Sequence, residues 1–317
     1  MSTRQKKKRN LVMLSVLIAG GILAWAIFAT RITILPPKKP WLMVTDDLGR
    51  KVTIYKQPET IVSLAPSNTE ILFALGLGDK VIAVSEYCNY PLEVQNKTKI
   101  GGFSTVNIEK VVDLEPDLVL ATGGIQEAVV EELGRLGLTV IALAARSIED
   151  VFENIRLVGK AAGQLETARE LTTNLEQRIK AVTDKIKDLP ESQRPRVFYE
   201  VEYEPLMTAG PGTFIHHLIH LAGGVNIASD AATKYPVYNL EILIERNPEV
   251  IIISLWHGSI AASVEGVKSR KRWQILDGVK NNRVYGTNAD IVSRPGPRIV
   301  DALEEIARFI HPELFKE

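Results

Sequence analysis

Asn107-Ile108-Glu109-Lys110-Val111-Val112-Asp113-Leu114-Glu115-Pro116-Asp117-Leu118-Val119-Leu120-Ala121 returns in outline as Asn239-Leu240-Glu241-Ile242-Leu243-Ile244-Glu245-Arg246-Asn247-Pro248-Glu249-Val250-Ile251-Ile252-Ile253. Both copies open on Asn, an aliphatic residue and Glu. Both reach Pro nine residues after the Asn, then an acid, then a run of aliphatics. Each copy predicts a short helix, with Asn as N-cap and Glu in its electropositive first turn. Pro116 and Pro248 mark the break. The short Val/Ile/Leu runs that follow suit strands buried on both faces. A helix–Pro–strand unit is common in α/β chains, but two copies matched at Asn, Glu and Pro point to two lobes of similar plan.

Outward from the first copy, Asp46–Arg50 reads as a turn and Lys51–Tyr55 as a short alternating strand, so a hairpin opens the domain. Ile61–Leu64 and Val81–Val84 read as strands, with a helix after Pro66 in which Ser67 and Glu70 have capping-box spacing. Strands alternating with helices imply parallel pairing, and ligands of such sheets lie beyond the C-terminal strand ends. Those ends are Ala65–Asn68, Tyr87–Tyr90, Phe103 and Thr122–Ile125. Their exposed aromatics suggest a flat, apolar ligand surface, against the plainer reading of loop packing.

Between the copies, Ile148–Ala162 predicts one helix and Glu166–Leu189 a longer one, about 36 Å in length. The apolar residues of the longer helix step by three and four, which predicts a rod lying along both lobes, with a coiled-coil dimer as the competing reading. The second lobe follows: a strand over Arg196–Tyr203, a helix over Phe214–Leu221 ending at Gly223-Gly224, a last strand over Arg283–Gly286, and a closing amphipathic helix over Ile299–Ile310.

The N-terminus is different in kind. Arg4, Lys6, Lys7, Lys8 and Arg9 precede nineteen uncharged residues, Leu11 to Ala29. Nineteen helical residues span roughly 28 Å, enough for a bilayer, and the basic flank predicts a cytoplasmic start with the rest outside. A cleaved signal segment using Ala24-Trp25-Ala26 is the competing reading. The 317 residues carry 38 basic and 38 acidic side chains, but eight of the basic ones and none of the acids precede Asp46. The remaining 30 basic against 38 acidic residues make nucleic acid a poor partner. Cys88 is the only cysteine, which excludes an internal disulfide and a Cys-based zinc site.

The run Ile61–Glu70, the two Asn-aliphatic-Glu phrases, Ala222-Gly223-Gly224-Val225-Asn226-Ile227 and Arg294-Pro295-Gly296-Pro297-Arg298 together resemble the substrate-binding proteins of ABC importers for cobalamin and iron–siderophore complexes. The resemblance spans roughly residues 44 to 315. It implies an α/β fold of two similar Rossmann-like lobes joined by one long α-helix, with the ligand in the cleft between them. The organisation expected is a cytoplasmic basic tail (1–10), a membrane anchor or signal segment (11–30), a Pro-rich spacer (31–43), an N-terminal lobe (44–147), a helical connector (148–190) and a C-terminal lobe (191–317).

Within that family the chain is most similar to cobalamin binders. The resemblance implies a ligand site of Pro66, Ser67, Asn68, Tyr87, Phe103, Tyr235, Asp290 and Arg294, with Trp256 adding stacking area where Phe103 and Tyr235 are smaller than the Trp often found. It implies no catalytic cofactor; cobalamin, a related corrinoid or another metal-containing chelate is cargo, with a ferric siderophore or haem as the alternative. It also implies a partner, a permease dimer with its ATPase subunits, whose arginines pair with Glu109 and Glu241, one on each lobe. The plain alternative is that each Glu only caps its own helix. A monomer on the outer face of the membrane is the expected form.

His216 and His220 stand one helical turn apart and could share zinc or manganese, though surface histidines opposite the Ile215/Leu218/Ile219 face are the simpler reading. No nucleophile elbow, phosphate-cradling loop or Cys–His pair appears, so an enzyme is not expected.

Overall fold

Residues 39–255 and 263–316 are described by the computed structural model. They open with the hairpin: β1 (Leu42–Thr45) pairs antiparallel with β2 (Lys51–Ile54) around the Asp46–Arg50 turn. β1 thus starts inside the stretch read as spacer. The turn is fixed by Asp46, which is buried. Its carboxylate accepts the amides of Arg50 (2.9 Å) and Ala142 (3.2 Å) and grips the Arg50 guanidinium.

Next come β3 (Ile61–Ser63), α1 (Pro66–Ala74), β4 (Val81–Val84), β5 (Thr98–Lys99), α2 (Ile108–Asp113), β6 (Leu118–Thr122), α3 (Glu127–Arg135) and β7 (Val140–Leu143). The five strands β3 to β7 form a parallel sheet in the order β5-β4-β3-β6-β7. β3 and β7 are wholly buried, as continuous aliphatic runs require when both faces are covered.

Two helices lead to the C-terminal half. α4 (Ile148–Ala162) is closed by a capping box between Ser147 and Asp150 and ends at Gly163 in the left-handed region. α5 (Leu165–Ile186) is the longer, 22 residues against the 24 expected, and stops short because the chain turns at Leu189 before Pro190. The second sheet is built from β8 (Arg196–Glu202), β9 (Met207–Thr208), β10 (Val225–Asn226), β11 (Val250–Leu255) and β12 (Val284–Asn288). Its order is β10-β8-β11-β12, all parallel, with β9 antiparallel on β8. Its helices are α6 (Phe214–Leu221), α7 (Leu240–Arg246), α8 (Val264–Ser269), α9 (Asp277–Lys280), α10 (Ala289–Ser293) and α11 (Ile299–Ile310). One apolar core runs from Ile61 and Leu118 through Val151 and Leu175 to Leu303 and Ile306.

The repeated phrase folds twice alike. Asn107 caps α2 by accepting from the Lys110 amide, and Asn239 caps α7 by accepting from that of Glu241. In each copy the residue before Pro takes a left-handed backbone, Glu115 at φ 44° and Asn247 at φ 38°. Asn adopts this conformation at lower cost than Glu. Glu115→Asn is therefore expected to raise unfolding free energy by about 0.5–1 kcal/mol in urea titration.

On the outer face, Arg178 of α5 donates to Glu304 (2.9 and 2.8 Å) and Asp301 (2.6 Å) of α11. Hydrogen bonding to Arg178 holds the Glu304 carboxyl below its ordinary value of 4.5. A depressed carboxylate stabilises above its unfolded pKa and loses that contribution as pH falls through the folded one. The stability difference between wild type and Arg178→Met should be present at neutral pH and shrink below pH 4.5. About 0.5–1 kcal/mol is expected for so exposed a network.

Candidate ligand-binding site

The site grows from the start of α1. The expected capping box is absent: Ala65 is the N-cap and Pro66 fills the first helical turn, where its missing N–H costs nothing. Glu70 is thus too deep in the helix to reach back to the cap. Ser67 Oγ turns to Asn68 Oδ1 (3.4 Å), and Asn68 donates to the carbonyl of Ala121 (3.0 Å), tying α1 to β6. Both side chains are buried, so they brace the helix from within.

Glu70 instead reaches across to the C-terminal half. Its carboxylate, 2% exposed, accepts from Arg298 Nε (2.8 Å) and Nη2 (2.6 Å) and from Arg294 Nη1 (3.0 Å). Arg294 also pairs with Asp290 (2.8 Å) and donates to Asn89 Oδ1 (2.7 Å) and the carbonyl of Tyr87 (3.4 Å). Asn89 Nδ2 donates to Asp290 Oδ2 (2.9 Å). Arg298 lies over the Tyr90 ring at 4.0 Å. A Cβ on Gly296 would lie 3.6 Å from the Ser67 carbonyl oxygen, so the Arg294–Arg298 loop packs directly on the first turn of α1. Two carboxylates and two guanidiniums interlock where the halves meet, at the C-terminal ends of β3, β4 and β12.

The aromatic residues sit above this junction unevenly. Tyr87 is 63% exposed. Gly102, the residue before Phe103, lies close to the Tyr87 ring. The Phe103 carbonyl accepts from Gln126 Nε2 (2.8 Å), and the same amide holds the Leu64 carbonyl (3.0 Å), fixing the loop to the sheet end. Tyr87, Asp290 and Arg294 therefore share one neighbourhood, and the Phe103 loop reaches the Tyr87 ring through Gly102. Tyr235 stands on the C-terminal half, in a loop held along β9 by bonds from Thr208 N to Pro236 O and from Gly210 N to Lys234 O. Burial pushes its phenol up. No hydrogen bond, ion pair or ring contact among the described residues joins Tyr235 to Tyr87, Phe103 or Arg294. Trp256 lies outside the described residues.

Sequence reasoning missed Glu70, Asn89, Tyr90 and Arg298 as parts of this junction. Glu70 and the two arginines were inside quoted motifs, but the pairs are 224 and 228 residues apart, and no local spacing links them. Beside them is a cavity of about 320 Å³ walled by Phe73, Tyr90, Pro91 and Pro297. A cavity of about 580 Å³ elsewhere is lined by Asp47, Glu127 and Asp150, whose carboxylates are all used on backbone amides. His216 and His220 line a third, of about 470 Å³. There His216 Nδ1 faces Asn226 Nδ2 at 3.1 Å, and the Asn226 amide is oriented by Ala209 and Ala228. That arrangement makes Nδ1 the acceptor and puts the proton on Nε2. No group of three or more His, Cys, Asp or Glu suited to a metal occurs among the described residues.

Glu109 and Glu241 occupy the first turns of α2 and α7, both exposed. A hydrogen bond from Arg272 (2.9 Å) holds the Glu241 carboxyl below its usual range.

The pattern of the periplasmic binding protein family matches residues 61–291, and the chain belongs to that family. The resemblance to substrate-binding proteins of ABC importers for cobalamin and iron–siderophore complexes holds; such proteins bind cargo and are not enzymes. The ABC transporter substrate-binding lipoprotein YvrC of Bacillus subtilis is 36% identical over 279 residues, 86% of this chain and 87% of that protein. The vitamin B12-binding protein of Vibrio cholerae is 32% identical over 254 residues, 80% of this chain and 89% of its own. The crystal structure of the periplasmic vitamin B12-binding protein BtuF of V. cholerae superposes with a TM-score of 0.68 at 30% identity, covering 82% of this chain and 99% of that one. An extracytoplasmic location follows from the family. Among the described residues no helix is long and apolar enough to cross a membrane; the Leu11–Ala29 stretch lies outside them.

Proposed function

We propose that the chain captures cobalamin or a related corrinoid and hands it to an ABC permease dimer. In this reading residues 44–147 and 191–317 act as two similar lobes on the 148–190 connector, and the ligand lies at their junction. The observation that carries it is the exposed Tyr87, whose carbonyl meets Arg294, next to arginines already matched by carboxylates. Such a surface offers aromatic area to a bulky, electroneutral guest, and among the described residues its two arginines are already paired, which disfavours an anionic iron chelate. Pro66, Ser67 and Asn68 support the floor, and Tyr235 and Trp256 contribute from the second lobe. The monomer, tethered by its N-terminal segment, presents Glu109 and Glu241 to the permease.

The test is calorimetry and visible spectroscopy of the purified protein with cyanocobalamin, haemin and ferric siderophores. Cyanocobalamin is expected to bind tightest; a preference for haemin or an iron chelate would replace the ligand assignment. Tyr87→Ala should weaken cyanocobalamin binding by about tenfold, the worth of one aromatic contact of roughly 1–1.5 kcal/mol.

A further inference from the structure

We infer that Glu70 sets the charge preference of the cleft, acting through Arg294 and Arg298 rather than by touching ligand. This rests on the reading of the junction as the ligand site. Four charged side chains of the described residues meet there: Glu70 and Asp290 against Arg294 and Arg298. Glu70 holds both guanidiniums at once, by three hydrogen bonds of 2.6 to 3.0 Å. It contributes this from the N-terminal half, while both arginines and Asp290 come from the C-terminal half. One acid on α1 therefore converts a doubly basic loop into a matched set.

The setting makes that match effective. The Glu70 side chain is 2% exposed and those of Arg294 and Arg298 are 14% and 15% exposed, so bulk water screens the group poorly. Arg294 is also fixed by Asn89 and the Tyr87 carbonyl, beside the most exposed aromatic of the site. It is not free to swing out and form a new pair with an incoming carboxylate. A ligand carboxylate arriving beside Arg294 meets a cation whose charge is already answered by Glu70 and Asp290. Removing the Glu70 charge leaves Arg298 without a carboxylate partner among these four and the cluster one unit positive. Removing Arg298 leaves it one unit negative.

The ligand class that follows is a large amide-decorated molecule without net charge. Its close anionic analogues are disfavoured because both described arginines are already matched, not by shape.

The experiment uses the full chain in detergent and two probes of one size and ring system: cyanocobalamin and its monocarboxylic acid, in which one propionamide is a propionate. The readout is the ratio of their dissociation constants in wild type, Glu70→Gln and Arg298→Met. Wild type is expected to favour the amide. Glu70→Gln should shift the ratio toward the acid by about tenfold, the scale of one unit charge at short range in a partly screened site. Arg298→Met should shift it the other way. Both variants disturb the same junction, so a purely structural role would move the ratios together or not at all, and either result overturns the inference. If wild type binds neither corrinoid, the corrinoid assignment has failed. The same signs are then required of haemin against its neutral dimethyl ester, and binding of neither pair overturns both proposals.

Discussion

Glu109→Lys combined with Glu241→Lys should abolish import in cells while leaving cyanocobalamin affinity of the purified protein within about twofold of wild type. Both side chains are exposed on short helices, well away in sequence from Glu70, Asn89 and Arg294, and neither helps to hold the junction. Their helices are capped by Asn107 and Asn239, not by the glutamates, so the caps survive the substitutions. What the substitutions reverse is a pair of negative points on two halves of like construction, which suits a partner with two-fold symmetry. Charges on an interface rim steer encounter and fix orientation, and placing like charge against like is costly. Loss of ligand affinity in the double variant would refute the docking role, as would import at the wild-type rate.

Glu70→Ala is the second large effect, a loss of about 3–5 kcal/mol in unfolding free energy. A buried carboxylate that satisfies two guanidiniums cannot be removed cheaply, because the arginines stay where they are and lose their partner. Arg294 keeps its ion pair with Asp290, but Arg298 is left with the face of Tyr90 and the more distant charge of Asp290. Replacing Glu132, whose pair with Arg135 is on the surface, should cost well under about 1 kcal/mol. Chemical denaturation of both variants gives the comparison; equal losses would mean that the junction carries no special energy.

The parts of this molecule legible in its sequence are those decided locally. The repeated phrase gave both helices, both N-caps and both buried strands, since capping and periodicity act within ten residues. The helix bounds Phe214–Leu221 and Ile299–Ile310 were readable for the same reason, closed by Gly223-Gly224 and opened after Pro297. Ser67 and Glu70 show where that logic stops. Their spacing matches a capping box, yet Pro66 had already claimed the start of the helix, and the freed carboxylate found partners more than two hundred residues away. Asn89 lay inside the Tyr87–Tyr90 strand end, but a loop Asn carries no signal of its own until Asp290 and Arg294 are brought to it. Tyr87 and Phe103 were named because aromatics at strand ends stand out, whereas Tyr235 was named on resemblance alone and sits on the other half.

The two carboxylates proposed to dock differ in one respect, and the difference would have a kinetic outcome. Glu241 already holds Arg272, while Glu109 has no ion pair among the described residues. On a symmetric landing platform the N-terminal half would touch down first, because its acid is ready, and the other side would follow only after exchanging Arg272 for the partner's own cation. Engagement would then be a two-stage event with a preferred order, and removing Arg272 should make the stages merge.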